Sequence, residues 1–199
     1  YILHLTAARM YLDHLPSSDP LSRDADRQND FFAGNLLPDS VREKSRSHFR
    51  DPAYRDRMIE WPHPDRFLEK YRDLMDNAGC RGYWFHLYID RRFFREYIPR
   101  AAEFYDEGGA VTDLRDRTVY VLVKKSGEMI PLPRYLSEEY YYGDYTRLNT
   151  WLAERYHFPD ELETPDNPGI EEVDYRGLSR VLEELRGYRK VPAEAAEYL

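Results

Sequence analysis

Gly82-Tyr83-Trp84-Phe85-His86-Leu87-Tyr88-Ile89-Asp90 places a histidine and an aspartate four residues apart in the most apolar, aromatic run of the chain. The run continues through Phe93, Phe94, Tyr97, Ile98, Ala101 and Phe104 at helical spacing, with no Gly or Pro until Pro99. That pattern predicts one helix to about Asp106, bent or interrupted at Pro99 and closed by Gly108-Gly109. Residues at i and i+4 lie side by side on a helix, so His86 and Asp90 face the same way. The helix is apolar around so much of its circumference that it is expected to run through the core. A carboxylate there is costly unless it is paired or binds a metal.

The 199 residues suffice for one well-filled domain, residues 1–199, and nothing in them requires two. Hydrophobic residues make up 42% and charged residues 33%, an ordinary globular balance. The net charge of −8 argues against stable nucleic-acid binding, which needs cations to neutralise phosphates. A local basic patch remains open, for example Arg42, Lys44, Arg46 and Arg50. A single cysteine, Cys80, cannot make an internal disulfide, so a cytoplasmic location is expected. No apolar run approaches a membrane span, and the start, at Tyr1 rather than Met, lacks a signal-peptide pattern.

Leu5, Ala8, Leu12 and Leu15 predict a helix from about 6 to 15, with Thr6 as N-cap and His4 just before it. Pro16 to Asn29 reads as a long surface loop. In the apolar segment Asp30 to Asp39, Gly34-Asn35 reads as a break. Pro38 is expected to push Leu37 out of helical geometry, leaving Asp39 on a bend. His48 lies in the polar segment Glu43 to Arg50. Trp61-Pro-His-Pro-Asp65 starts a helix with Pro64 in its first position; Phe67, Leu68, Tyr71, Leu74 and Met75 form its stripe, and Asn77 to Gly79 end it. Thr118 to Val123 and Met129 to Leu132, joined through Ser126-Gly127, predict a β-hairpin. Ser137 to His157 reads as a helix with Tyr141, Tyr145, Leu148, Leu152 and Tyr156 on one face, ended by Pro159. Val173 to about Tyr188 is a final helix, and the tail from Val191 is expected to be loosely held. The chain thus reads as a mainly α, multi-helical domain with one small hairpin.

His4, Asp39, His48, His86 and Asp90 are the candidate ligands by chemical type. Imidazole and carboxylate are what zinc and related divalent ions accept when thiolates are lacking, and five such groups could hold one ion and part of a second. The i,i+4 pair has a plainer reading, in which Asp90 only orients a core His86. Taken singly, His48 reads as a loop histidine, Asp39 as a turn residue and His4 as a polar group at a helix entrance. His14 and His63 read as surface or capping groups.

Four segments in order, His4-Leu5, Gly34-Asn-Leu-Leu-Pro-Asp39, Lys44 to Phe49 with Ser47-His48, and Gly82-Tyr83 through His86-x-x-x-Asp90, carry a likeness to a known family. Together they resemble the bacterial zinc-dependent phospholipase C family, in particular its short, signal-less members from Gram-positive bacteria. Tyr142-Gly-Asp-Tyr-Thr-Arg-Leu-Asn149 is similar to a downstream segment of those members, so the likeness spans roughly the first 150 residues. The resemblance implies a helical fold. It also implies a zinc held by Asp39, His48, His86 and Asp90, with Asp90 bridging to a second ion that His4 helps bind. Family enzymes use their mature N-terminal amino group there as well. Asp39 would double as general base. Secreted members carry three later ligands, two histidines and a glutamate, and this chain departs from them. After Asp90 only His157 remains, Pro159 separates it from Glu161, and Asp144 is the other substitute, alternatively a solvated carboxylate. The hairpin is a further departure.

The leading expectation is therefore a zinc-dependent phosphodiester hydrolase acting on a lipid or a small soluble substrate. A related nuclease, disfavoured by the acidic charge, is one alternative. A non-catalytic helical binding module with a single structural metal, or none, is another. Trp84, Tyr88 and Phe94 would wall the cavity or simply fill core. The adjacent His-Asp pair of HD-type phosphohydrolases is absent, since Asp13-His14 has the reverse order.

Overall fold

The computed structural model describes residues 1–156, 158, 159 and 161–188; among these the chain is mainly helical with one three-stranded antiparallel sheet. α1 (Ile2–Asp13) buries Ile2, Leu5, Ala8 and Leu12. It starts earlier than expected: Thr6 donates its hydroxyl to the Ile2 carbonyl inside the helix instead of capping it, so His4 lies on the helix. The expected loop up to Asn29 is also cut short. Asp19 caps a turn at Pro20–Ser22, and Asp24 caps α2 (Ala25–Leu36) by accepting from the amides of Asp26 and Arg27.

α2 runs unbroken through Gly34-Asn35, and Leu37 keeps helical angles (φ −57°, ψ −42°). The steric preference set by the following proline yields here to packing, because Leu36 and Leu37 are both buried in the core. Pro38 instead opens the turn Leu37–Ser40 that carries Asp39, and the backbone becomes extended only at Val41. α3 (Lys44–Ser47) is a single turn capped by Glu43. α4 (Pro64–Tyr71) begins at Pro64 as expected, burying Phe67 and Tyr71. Asn77 caps α5 (Ala78–Arg92), accepting from the Cys80 amide, rather than ending the helix before it.

The single helix expected to reach Asp106 stops at Arg92. A π-helical turn over Phe93–Tyr97 and α6 (Ile98–Ala101) come next, and β1 (Ala102–Tyr105) then pairs with β2 (Tyr120–Val123), which pairs with β3 (Glu128–Pro131). The expected hairpin is present, with Gly127 at φ 72° in its turn, but it is two-thirds of a sheet. Phe104 fits helical spacing, yet it stands opposite Val121, itself opposite Ile130, and the three bury one face of the sheet.

α7 (Leu132–Tyr135) leads to α8 (Tyr141–Arg155), which ends before Pro159, with Tyr156 already extended. Its expected face is divided: Tyr141 packs beside the sheet, Leu152, Ala153 and Tyr156 pack on the main core, and Leu148 is exposed. The Tyr145 side chain lies outside the described residues. Asp174 caps a turn at Tyr175–Gly177 that leads into α9 (Leu178–Tyr188), later than Val173. His157 and the tail from Val191 lie outside the described residues. Among the described residues no helix is long and apolar enough to cross a membrane.

One large cluster joins α1, α2, α4, α5 and α9; a smaller one, built on Ile98, Phe104, Val121, Ile130 and Tyr135, lies under the sheet. α2 and α5 approach so closely that side chains are excluded where they cross. A Cβ on Gly34 would stand 2.0 Å from the Gly79 carbonyl oxygen, and one on Gly82 would stand 2.1 Å from that of Phe31. On an isolated helix Gly→Ala stabilises by about 1 kcal/mol. Here Gly34→Ala is expected to destabilise by about 3 kcal/mol, since backbone rather than a flexible side chain must yield. Urea unfolding measures this, and a stabilised variant would contradict the crossing.

Candidate metal centre

Four separate pieces of this packing deliver the five candidate ligands. His4 comes from α1, Asp39 from the turn after α2, His48 from the end of α3, and His86 and Asp90 from α5. The structure brings all five together. Asp90 Oδ1 is 3.2 Å from His4 Nε2, while its Oδ2 is 3.5 Å from His48 Nε2 and 3.7 Å from His86 Nε2. Asp39 Oδ1 is 3.6 Å from His48 Nε2 and 2.6 Å from Lys44 Nζ. The rings of His4 and His86 stack at 3.8 Å. Donor atoms of His4, Asp39 and His86 lie within 4.8 Å of one another, as do those of His48, His86 and Asp90.

The hydrogen-bond partners assign the neutral tautomers. His86 Nδ1 is 2.8 Å from the Asn35 carbonyl, which can only accept, so Nδ1 carries the proton. His48 Nδ1 is 3.1 Å from the Lys44 carbonyl and 3.0 Å from Ser47 Oγ, whose own hydroxyl donates to the Pro38 carbonyl; Nδ1 is again the donor. Both Nε2 atoms are therefore bare, and they face each other at 3.2 Å. Two lone pairs at that distance repel unless a positive charge, a proton or a metal ion, joins them. Asp90 does not orient His86, as the plainer reading held. Its Oδ2 is too far from Nε2 for a hydrogen bond, and the Asn35 carbonyl does the orienting.

Burial sets the charges. It pushes His86 down to about 3, helped by His4 and opposed by Asp90 and Asp39. Burial pushes the Asp39 carboxyl up, but attraction from His86, His4, His48 and Lys44 outweighs it and holds the group below the carboxylate range. Asp90 is held well below that range in the same way, chiefly by His4 and His86. The imidazoles of His48 and His86 are fully buried, whereas the Asp39 and Asp90 side chains are 15% and 16% exposed, so the carboxylates form the edge that meets solvent.

The remaining candidates stand apart. His14 is exposed, its Nδ1 2.7 Å from the Met10 carbonyl, and His63 sits half-buried at the start of α4. Asp144 is exposed and pairs with Arg147, the solvated alternative. Trp84 and Tyr88 stack on each other and pack on the main core, and Phe94 packs beside the sheet; none is needed to describe the five-residue cluster. The basic group is split, with Lys44 turned to Asp39 and Arg50 3.9 Å from Glu60. Sequence reading took Asn35 only as part of a break, whereas its carbonyl orients His86 and its amide donates to the His4 carbonyl at 2.7 Å. The signal was there: an amide inside Phe31-Phe-Ala-Gly-Asn-Leu-Leu37 is a costly residue to bury. The Nδ1 of His4 and the Oδ1 of Asn35 are buried with no hydrogen-bond partner.

Comparison of the chain with protein-family models, curated proteins and solved structures found no match. What the cluster can do is therefore argued from its geometry.

A histidine in the unfolded chain takes up its proton near pH 6.5, but folded His86 does so only near pH 3. The unfolded state binds more protons across that interval, so the metal-free protein loses stability as the pH falls through it, by about 1.4 kcal/mol per unit at most. Asp39 and Asp90, with lowered values, add to the loss below about pH 4. Urea titrations of metal-stripped protein between neutrality and mild acid read this directly. His86→Asn is expected to flatten the profile, and a flat profile in the unaltered chain would remove the buried neutral imidazole.

Proposed function

We propose that the chain is a zinc-dependent phosphodiester hydrolase similar to the bacterial zinc-dependent phospholipases C, acting on a lipid or small soluble phosphodiester. The observation that carries this reading is the pair of bare Nε2 atoms 3.2 Å apart, flanked by the carboxylates of Asp39 and Asp90. Two imidazole nitrogens whose ring partners are hydrogen-bonded from behind, and two carboxylates, are a donor set suited to a divalent cation. Main-chain carbonyls hold both rings from behind, as the histidines of metal sites are commonly held.

Asp39, His48, His86 and Asp90 would hold one zinc, with His4 serving a second alongside Asp90. A cation bound there supplies Lewis acidity and makes water reactive near neutral pH. Asp39, on the solvent edge, would be the residue to accept a proton from water. The order of the four motif segments supports the family assignment, and the mainly helical core fits it. The three-stranded sheet would be an addition to that fold, and the later ligands of secreted members have no counterpart among the described residues.

Elemental analysis of purified protein is expected to give at least one zinc per chain, and His86→Ala to remove most of it. Bis-para-nitrophenyl phosphate, with zinc or manganese added, is expected to be hydrolysed by the unaltered chain and not by Asp90→Asn. Metal without turnover would favour the binding module. Absence of metal from carefully prepared protein would end both enzymatic readings.

A further inference from the structure

Lys44 is a side-chain cation in direct contact with the cluster, and it serves the cluster in two separate ways. Its carbonyl accepts from the His48 main-chain amide at 2.9 Å and from the ring Nδ1 at 3.1 Å, so its backbone is fixed. Its side chain is 45% exposed and touches the cluster through a single contact, Nζ to Asp39 Oδ1 at 2.6 Å. That oxygen is also the one turned to His48 Nε2, at 3.6 Å, so the ammonium occupies a position a metal ion would contest.

We infer that Lys44 is the anion-binding residue of this site, selecting a substrate with one negative charge, such as a phosphodiester, over a neutral ester. The inference rests on the metal reading proposed for the cluster. Lys44 Nζ brings a positive charge to Asp39, the carboxylate at the solvent edge of the cluster, on a side chain that is itself largely open to solvent. A phosphodiester monoanion matches that charge; a neutral ester gains nothing from it. An ammonium is a compact, mobile donor, and the flexible stem of Lys44 lets Nζ move from Asp39 to a substrate oxygen while the backbone stays anchored.

Lys44→Met is expected to have two effects of opposite sign. Zinc no longer competes with an ammonium for Asp39 Oδ1, so its affinity is expected to hold or rise by up to about tenfold. The zinc-loaded variant is expected to bind inorganic phosphate about tenfold more weakly than the zinc-loaded unaltered chain, reflecting a lost charge-assisted hydrogen bond. Lys44→Arg is expected to restore most of the phosphate affinity. Zinc affinity is read by competition with a chromophoric chelator and phosphate binding by calorimetry, neither of which requires turnover. Loss of zinc from Lys44→Met would make Lys44 a prop for Asp39 and overturn the inference, as would phosphate binding equal to that of the unaltered chain. Lack of zinc in the unaltered chain would overturn the metal reading and this inference together. Zinc in all three proteins with phosphate affinity indifferent to residue 44 would overturn this inference alone.

Discussion

The close crossing of α2 and α5 is the constraint on which the rest of the structure depends. Gly34 and Gly82 let two backbones meet where any side chain would collide with a carbonyl. One turn further along the same seam, the Asn35 carbonyl comes within 2.8 Å of His86 Nδ1. Were the helices held apart by methyl groups, that hydrogen bond would lengthen, and the tautomer and orientation of His86 would no longer be set. The seam also steers the chain beyond the crossing, carrying the turn with Asp39 to one side of His86 while Asp90 lies a turn past it on α5.

The cluster itself runs against ordinary stability. Three imidazoles and two carboxylates gathered in a helical core have lost much of their hydration, and the bare nitrogens of His48 and His86 are turned toward each other. A core selected for stability alone would fill this space with leucine. The second row of contacts is nonetheless well ordered: Lys44 and Asn35 carbonyls behind the rings, the Ser47 hydroxyl on Pro38, the Asn35 amide on His4. These contacts hold in place an arrangement that is unfavourable by itself.

Of the five cluster residues only His86 and Asp90 stand out locally, as polar groups in an aromatic helix; His4, Asp39 and His48 each suit their surroundings and were legible through ligand chemistry and the order of the four motif segments. The start of α4 at Pro64 and the turn at Gly127 were legible for local reasons as well. The failures share one cause. Gly34-Asn35 carries a strong local signal for a break, and only the second helix, more than forty residues away, shows that the glycine serves packing. Phe104 satisfies a helical repeat and a strand alternation equally, and the choice is made by Val121 and Ile130, which lie later in the chain. Lys44 was legible only as a member of a basic patch and a motif segment, because one charge among several has no distinguishing mark until Asp39 is placed beside it.

The backbone next to His48 shows how far the fold bends to keep that ring in place. Phe49, at φ 52°, is the one non-glycine residue in left-handed geometry among those described, a conformation that costs a bulky side chain on the order of 1 kcal/mol. A glycine there would relieve the strain, yet the ring of Phe49 meets Phe67 edge-on at 5.5 Å, and Phe67 in turn stacks on Tyr83 at 4.9 Å. Burial holds the Tyr83 hydroxyl protonated, and it donates to the Ser47 carbonyl at 2.6 Å, just before His48. The circuit from α5 through Phe67 and Phe49 thus closes on the residues that flank His48 on both sides. Tyr83 lies one helical turn before His86, so the same helix that presents one bare nitrogen also fixes the backbone that presents the other. The strain at Phe49 persists because the contacts holding it are those that keep the two imidazoles opposed.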